Sequence, residues 1–245
     1  MRLLLDIGNT TIAWALKEKD IFQSSGRFFY QHVSIIDDVN KHLGNLDAPE
    51  QVLISSVIRE ENLIQWIKLQ WQCDVWQAKT SSVFAELKNS YPKPEQMGID
   101  RWLAMISAWN EFKTELCVID CGTAMTIDLI DTNGQHKGGY ILPGLQMMQS
   151  QINQGTDRIS VDVASTGQLF PANNTKTAIN HGAILGMVAS VEYVHRHLMN
   201  NMGSNRQSII TGGDAPEIIK HSDIKMIYRP LLVLEGLSIL GDKAS

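Results

Sequence analysis

The sequence has few cysteines and no hydrophobic run long enough for a membrane span. Its three cysteines, Cys73, Cys117 and Cys121, fit neither a disulfide framework nor a zinc site, so we expect reduced and buried thiols. The apolar N-terminal run ends at Asp6, too early for a signal peptide, and no later stretch approaches a membrane span. We therefore expect a cytoplasmic protein with no membrane partner.

Basic residues are fewer than acidic residues, and the sequence has no block of like charges. The formal net charge is −5, from 21 Lys and Arg against 26 Asp and Glu. Non-specific nucleic-acid binding needs a basic footprint, so we expect no nucleic-acid partner. An anionic substrate is not excluded, because backbone amides and a bound metal ion hold phosphate without help from net charge. The hydrophobic fraction of 44% is enough for a sizeable core.

One pattern occurs twice along the chain. Residues 3–16 read LLLDIGNTTIAWAL and residues 117–130 read CVIDCGTAMTIDLI. Each has an apolar strand, then Asp-x-Gly-[Asn/Thr], then a second apolar strand, and the glycine permits the tight turn of a β-hairpin. One such hairpin opens each half of the chain, which indicates a duplicated domain with lobes at residues 1–113 and 114–245.

The remaining apolar pattern supports two α/β lobes. It predicts strands at 52–57 and 208–211, helices at 60–70, 145–151, 175–198 and 231–240, and a helix that starts at Asp100. Residues 90–98 and 138–144 are rich in Pro and Gly and are expected to form loops. Since strands precede helices in each half, we expect two α/β lobes with a cleft between them.

The two hairpin turns carry the residue types that phosphate chemistry needs. Asp6 ends the first strand and is followed by Gly-Asn-Thr, which offers free amides and a hydroxyl. Amides cradle anionic oxygens, and a carboxylate holds magnesium directly or through water. The alternative is that these are simply good turn residues. Asp120 at the same strand end of the second copy favours the functional interpretation.

This pair of turns resembles the superfamily of actin, heat-shock chaperones and sugar kinases, whose two lobes each present an Asp-x-Gly hairpin to the ATP phosphates. Residues 211–215, TGGDA, resemble its Gly-Gly turn beside the adenosine. Neither a P-loop nor a dinucleotide-binding glycine pattern is present in the sequence. The resemblance implies an α/β fold of two similar actin-like (ribonuclease H-like) lobes, with mixed sheets flanked by helices and an ATP cleft between them.

A closer resemblance, to the type III pantothenate kinases, runs over nearly the whole chain. It rests on five segments in order: YPKPEQMGIDRW (91–102), DCGTAMTID (120–128), GYILPGL (139–145), NTKTAINHG (174–182) and TGGDA (211–215). It implies ATP-dependent phosphorylation of pantothenate to 4′-phosphopantothenate, the first step of coenzyme A biosynthesis. Family members are dimers, so the resemblance also implies a homodimer.

The resemblance implies a role for each matching residue. Asp100 is the implied general base, Asp120 the ligand of a monovalent cation (K⁺ or NH₄⁺), and Asp6 a magnesium ligand, directly or through water. Contacts with pantothenate are implied for Tyr91, Gly98, Ile99, Asp100, Arg101 and Thr175. Contacts with ATP are implied for Asp6, Ile7, Gly8, Asn9, Thr10, Thr11, Ile12, Ala13 and Thr123.

Several of these residues have a structural alternative. Asp100 near a helix start is also a common cap, but Arg101 beside it and the Pro-rich loop before it favour a functional role. Tyr91 taken alone is more typical of a packing residue than of a binding residue. Many relatives carry a lysine at the position of Ala13, and Lys17 is no replacement, since four residues along a strand span about 13 Å.

Two further points bear on function. His195 and His197 look like a metal pair, but residues two apart on a helix point to different faces, so we expect no shared ligand. Two other functions stay open, a different small-molecule kinase of the same superfamily, such as a sugar kinase, and a non-catalytic accessory or regulatory protein. The segment from Tyr91 to Trp102 favours pantothenate, and the acids Asp6, Asp100 and Asp120 favour an enzyme.

Overall fold

The computed structural model of the chain describes residues 1–31, 33–154, 169–198 and 206–244. It divides into two compact units: unit 1 is Met1–Phe84, Tyr91–Ser107 and Leu231–Ser245, and unit 2 is Ala85–Ser90 and Ala108–Pro230. Each unit is a compact group of residues and is not continuous in the sequence. The lobes 1–113 and 114–245 were inferred from the repeated sequence pattern and remain a prediction.

The described residues form strands and helices in alternating groups. The strands are β1 (Arg2–Ile7), β2 (Thr11–Glu18), β3 (Ile21–Phe29), β4 (Gln51–Ser56), β5 (Asp74–Gln77), β6 (Val83–Phe84), β7 (Leu87–Lys88), β8 (Glu115–Cys121), β9 (Ala124–Ile130), β10 (His136–Pro143), β11 (Arg206–Thr211) and β12 (Ile227–Tyr228). The α-helices are α1 (Ile35–Leu43), α2 (Glu61–Trp71), α3 (Ile99–Phe112), α4 (Leu145–Gln154), α5 (Thr175–Tyr193), α6 (Ala215–His221) and α7 (Leu232–Ala244). A 3-10 turn covers Pro94–Gln96 and a π-helical turn covers Val194–Leu198.

The two five-stranded sheets have the same topology. In unit 1 the strand order is β3-β2-β1-β4-β5, with β1, β2 and β3 antiparallel and β1, β4 and β5 parallel. In unit 2 the order is β10-β9-β8-β11-β12, with the same pattern of directions. The duplication seen in the sequence is therefore a duplication of the whole sheet. Asp6 and Asp120 occupy the same position, next to last in the central strands β1 and β8.

Alternate residues of β1 face opposite sides of the unit 1 sheet. Leu3, Leu5 and Ile7 are fully buried in a core with residues of α1 and α2. The opposite face, which carries Asp6, packs against α7. A Cβ on Gly241 of α7 would lie 2.8 Å from the Leu53 side chain, so the glycine permits this close approach.

Unit 2 has an equivalent core on one face of its sheet. Cys117, Ile119 and Cys121 of β8 are fully buried there, together with Ile184 and Met187 of α5. The expectation of buried thiols is thus confirmed for Cys117 and Cys121, whereas Cys73 is only partly buried. No helix within the described ranges is both long and apolar enough to cross a membrane.

The segment 138–144, expected to be a loop, is wrongly predicted. It belongs largely to β10, an edge strand that pairs with β9 and carries a β-bulge between His136 and Gly138. Gly138 takes a φ of +104°, which glycine adopts readily, and Pro143 ends the strand, where its missing N–H costs no ladder hydrogen bond. The glycines and proline that suggested a loop are therefore features of an irregular edge strand.

Candidate active site

The first Asp-x-Gly turn, residues 6–11, joins β1 to β2 and is fixed by backbone hydrogen bonds. The Gly8 N–H donates to the Thr11 carbonyl (3.0 Å) and closes the turn. The Val57 N–H donates to the Ile7 carbonyl (3.1 Å), which ties the turn to the end of β4. The side chains of Asn9 and Thr10 are exposed. This turn is the segment that the resemblance assigns to ATP.

Asp6 has small neighbours on the adjacent strands. It lies in register with Ala13 on β2 and Ser55 on β4. Ser55 is fully buried, and its hydroxyl has no hydrogen-bond partner in the part of the chain that the structure describes. Lys17, also on β2, is bound elsewhere, because its Nζ donates to the Ser238 hydroxyl (2.6 Å) of α7. Lys17 therefore does not replace the ammonium group of the lysine that many relatives carry at position 13.

The second turn, residues 120–123, is enclosed by two other loops of unit 2. The Gly144 N–H donates to the Thr123 carbonyl and the Asp214 N–H to the Cys121 carbonyl, each at 3.0 Å. Gly212 has a φ of +96°, and a Cβ there would lie 2.4 Å from the Cys121 backbone. Only glycine fits so close to another backbone, so TGGDA packs directly on the DCGT turn.

Asp120 has a threonine beside it on each neighbouring strand. It lies in register with Thr126 on β9 and Thr211 on β11, so the carboxylate and both hydroxyl side chains are on one face of the sheet. Burial raises the pKa of the Cys121 thiol, and the carboxylates of Asp120 and Asp214 raise it further, which places both acids near this turn. Carboxylate, hydroxyl and carbonyl oxygens suit a hard cation. Among the described residues, no group of three or more His, Cys, Asp or Glu side chains is placed to hold a metal ion.

The segment before α3 positions Asp100. The Arg101 backbone N–H donates to the Asp100 Oδ1 (2.8 Å), which fixes the carboxylate at the first turn of the helix. A Cβ on Gly98 would lie 2.5 Å from the same Oδ1, so any larger residue would displace the carboxylate. Thr80 donates from Oγ1 to the Met97 carbonyl (3.0 Å) and anchors the segment to the chain after β5.

Arg101 and Tyr91, both assigned to the substrate site, are partners. Arg101 is only 5% exposed, and its Nη1 donates to the Tyr91 hydroxyl (3.0 Å). Its Cζ lies 5.7 Å from the centre of the Tyr91 ring. This distance suits a cation–π interaction, so the guanidinium group is held in one position.

A pocket of about 430 Å³ adjoins the Asp100 segment. It opens where β4 and β5 end, at the carboxyl edge of the parallel strands, where α/β sheets commonly bind ligands. Its lining includes Ser56, Lys79, Thr80, Glu95, Gly98 and Ile99. Two residues predicted to contact the substrate, Gly98 and Ile99, therefore line a cavity large enough for a small molecule.

The structure brings the predicted residues together in two groups. Residues 6–13 and the residues from Tyr91 to Arg101 belong to unit 1. Asp120, Thr123 and Thr175 belong to unit 2, where Thr175 is exposed at the first position of α5. The cap of α5 is Asn174, whose side chain accepts from the Thr177 N–H (2.9 Å).

Four polar residues have structural partners instead. Asp128 and His136 are each 1% exposed and form a buried pair (Oδ1 to Nε2, 2.9 Å). His195 bonds to the Ser208 hydroxyl, whereas His197 stacks on Tyr193, so these two histidines have separate partners.

Sequence reasoning missed Tyr30 and Lys79. Tyr30 contacts the first Asp-x-Gly turn, and Lys79 lines the pocket beside Gly98. Neither residue lies in a motif. Their positions depend on the pairing of β2 with β3 and of β4 with β5, which a single sequence does not reveal.

Comparison with known proteins identifies the family. The sequence model of the family described as type III pantothenate kinase matches residues 2–197. A type III pantothenate kinase of Nitrosococcus oceani is 33% identical over 253 residues, covering 100% of this chain and 95% of the relative. One of Acinetobacter baumannii is 34% identical over 248 residues, covering 96% and 95%.

Solved structures confirm the expected actin-like α/β fold. A Campylobacter jejuni protein assigned to the Baf family of transcriptional activators superposes with a TM-score of 0.63 at 19% identity, covering 99% of this chain and 98% of that one. The ROK hexokinase of Thermus thermophilus gives 0.50 at 11% identity, covering 99% of each chain. At such low identity these structures show the fold alone. The match over residues 2–197 shows more, and the chain belongs to the type III pantothenate kinase family.

Proposed function

We propose that this protein transfers the γ-phosphoryl group of ATP to the primary alcohol of pantothenate, giving 4′-phosphopantothenate in the first step of coenzyme A biosynthesis. The observation that carries the proposal is the family match over residues 2–197, which includes all the proposed catalytic, ATP-binding and substrate-binding residues from Asp6 to Thr175. The pocket beside Gly98 and the fixed carboxylate of Asp100 support it independently.

Asp100 is the proposed general base. An alcohol is far too weak an acid for a carboxylate to deprotonate in the ground state, so Asp100 orients the hydroxyl and accepts its proton late in the transfer. Orientation demands a carboxylate in one position. The hydrogen bond from the Arg101 N–H and the absence of a side chain at Gly98 both favour that position.

The two Asp-x-Gly turns are the proposed phosphate sites. Residues 6–13 and Thr123 contact ATP, Asp6 holds magnesium directly or through water, and Asp120 holds a monovalent cation, K⁺ or NH₄⁺. The loose transition state of phosphoryl transfer gains most from positioning and charge neutralisation, which the cations supply when bound. The oxygen-rich neighbourhood of Asp120, with Thr126 and Thr211, supports a cation there.

Substrate recognition is proposed for Tyr91, Gly98, Ile99, Asp100, Arg101 and Thr175. The carboxylate of pantothenate matches the guanidinium group of Arg101, because planar bidentate pairs are the strong form of this interaction. Tyr91 supports this role by holding the guanidinium group through a hydrogen bond and its ring face.

ADP release tests the proposal. Purified protein with ATP, magnesium, potassium and pantothenate should release ADP, and Asp100→Asn should abolish turnover with its circular dichroism spectrum unchanged. Asp37→Asn is the matched control, since both carboxylates lie in the first turn of a helix, Asp37 exposed in α1 and Asp100 partly buried in α3. ADP release stimulated by sugars and not by pantothenate would contradict the substrate. No turnover with any alcohol would favour a non-catalytic role.

The proposal includes a cytoplasmic homodimer. Large apolar side chains are exposed on β10 and α5 of unit 2: Tyr140 (47%), Ile141 (64%), Leu185 (59%) and Tyr193 (60%). Exposed apolar groups of this size are typical of protein interfaces. Sedimentation velocity should give twice the chain mass for the natural sequence, and Ile141→Asp should shift the protein toward monomer. A monomer at micromolar concentration would contradict this part of the proposal.

A further inference from the structure

Tyr30 contacts the first Asp-x-Gly turn at two points. Tyr30 directly follows β3 and is 7% exposed. Its hydroxyl donates to the Gly8 carbonyl (2.6 Å), and its backbone N–H donates to the Thr10 carbonyl (3.2 Å). One residue thus binds carbonyl groups on both sides of Asn9.

The hydroxyl of Tyr30 sets the direction of a neighbouring amide. The Gly8 carbonyl and the Asn9 N–H belong to one planar trans peptide, so they point in opposite directions. Because the Tyr30 hydroxyl binds the Gly8 carbonyl, the Asn9 N–H points away from that hydroxyl, and Asn9 is an exposed residue. An amide directed outward from a Gly-containing turn is the group that binds phosphate oxygens.

The surroundings of Tyr30 keep its phenol protonated. Burial raises its pKa, and the nearby carboxyl group of Glu60 raises it further. Glu60 is itself 8% exposed and is fixed by hydrogen bonds from the Ser56 hydroxyl (2.8 Å) and the Gln77 side-chain amide (2.5 Å). The phenol therefore stays a hydrogen-bond donor to the Gly8 carbonyl, as the orientation of the peptide requires.

We propose that Tyr30 is a positioning residue for the ATP phosphates, which holds the Gly8–Asn9 peptide with its N–H toward the triphosphate. The inference rests on the proposed function only in that the turn binds ATP, and it does not depend on the alcohol that accepts the phosphoryl group. A tyrosine that only packs would stabilise unit 1 without affecting nucleotide affinity.

Tyr30→Phe separates these roles, because it keeps the ring and removes the hydroxyl. ATP affinity, measured by calorimetric titration without pantothenate, should fall about two- to tenfold, the range that one hydrogen bond between neutral groups is worth. The KM for pantothenate at saturating ATP should stay unchanged. Tyr228→Phe, at a 42% exposed tyrosine of unit 2, is the control and should leave both constants at the values of the natural protein.

A second measurement needs no variant. Binding of a non-hydrolysable ATP analogue to the natural protein should shift the amide resonance of Asn9 and slow its hydrogen exchange. Unchanged ATP affinity in Tyr30→Phe, or an Asn9 amide that does not respond to the analogue, would overturn the inference. ATP binding without phosphorylation of pantothenate would instead overturn the proposed function and leave the role of Tyr30 standing.

Discussion

Replacing His136 by phenylalanine tests whether Asp128 has a structural role in spite of its place near a phosphate-binding motif. Asp128 and His136 are both 1% exposed on neighbouring strands, with Oδ1 and Nε2 2.9 Å apart. The Ser90 Oγ lies 2.9 Å from the His136 Nδ1. With its proton on Nε2, the ring donates to Asp128 and accepts from the Ser90 hydroxyl, so both nitrogens are satisfied.

The expected cost follows from this burial. His136→Phe removes the imidazole that bonds to this buried carboxylate, and breaking a buried pair typically costs about 3–5 kcal/mol. The double variant Asp128→Leu/His136→Phe removes the charge as well, and replacing a whole buried pair by apolar groups is often close to neutral. We therefore expect the double variant to be more stable than His136→Phe by about 2 kcal/mol or more.

Urea unfolding followed by circular dichroism measures these differences. Arg196→Ala is the control. The Arg196 side chain is 52% exposed, so its 3.1 Å ion pair with Glu192 is worth at most about 1 kcal/mol. If His136→Phe costs no more than Arg196→Ala, the pair is not the buried contact that we describe. If the double variant is no more stable than His136→Phe, the charge is not the source of the cost.

Three further predictions concern pH, thiols and a glycine. Burial raises the pKa of Glu60 above its ordinary 4.5, although hydrogen bonds from neighbouring side chains lower it in part. The charged form of Glu60 is therefore less favoured in the folded protein than in the unfolded chain. The free energy of unfolding should fall as pH rises from about 4.5 through the higher folded-state pKa, and Glu60→Gln should flatten this slope in urea titrations at several pH values. Burial raises the pKa of Cys117 to about 12 and that of Cys121 as well, so a thiol reagent at neutral pH should label at most Cys73 before unfolding; labelling of all three in the native state would contradict the burial. Gly212→Ala should cost about 2–4 kcal/mol from positive-φ strain and overlap with the Cys121 backbone, seen as a lower melting temperature; an unchanged melting temperature would mean that the two loops do not touch.

Features that depend on local pattern were predictable from the sequence. Apolar runs on either side of Asp6 and Asp120 predicted the two hairpins, and their repetition predicted a duplication that the common strand order confirms. The helix at Asp100 was predicted from apolar spacing and begins one residue earlier, at Ile99. In each case the residues that determine the element are adjacent in the chain.

Features that depend on strand pairing were not predictable. Asp128 lies two residues after Thr126 in the DCGTAMTID segment, so both project from the same face of β9. Asp128 bonds to His136, which lies next to the bulge in β10. The glycines and proline of β10 had suggested a loop, so this pairing was not expected. Tyr30 was missed for the same reason, since only the pairing of β2 with β3 brings it to Gly8.

The two acidic turns are equivalent by topology but differ in their neighbours, and this difference supports the separate roles proposed for them. Asp6 lies between Ala13 and Ser55, so only one of its two cross-strand neighbours carries a side-chain hydroxyl. Magnesium tolerates this, because it keeps several waters and takes further oxygens from substrate phosphates. Asp120 lies between two threonines, Thr126 on β9 and Thr211 on β11, and each carries a side-chain hydroxyl. A weakly hydrated monovalent cation depends more on such protein oxygens than magnesium does, so the flanking residues match the cation proposed for each turn, while the acid is common to both.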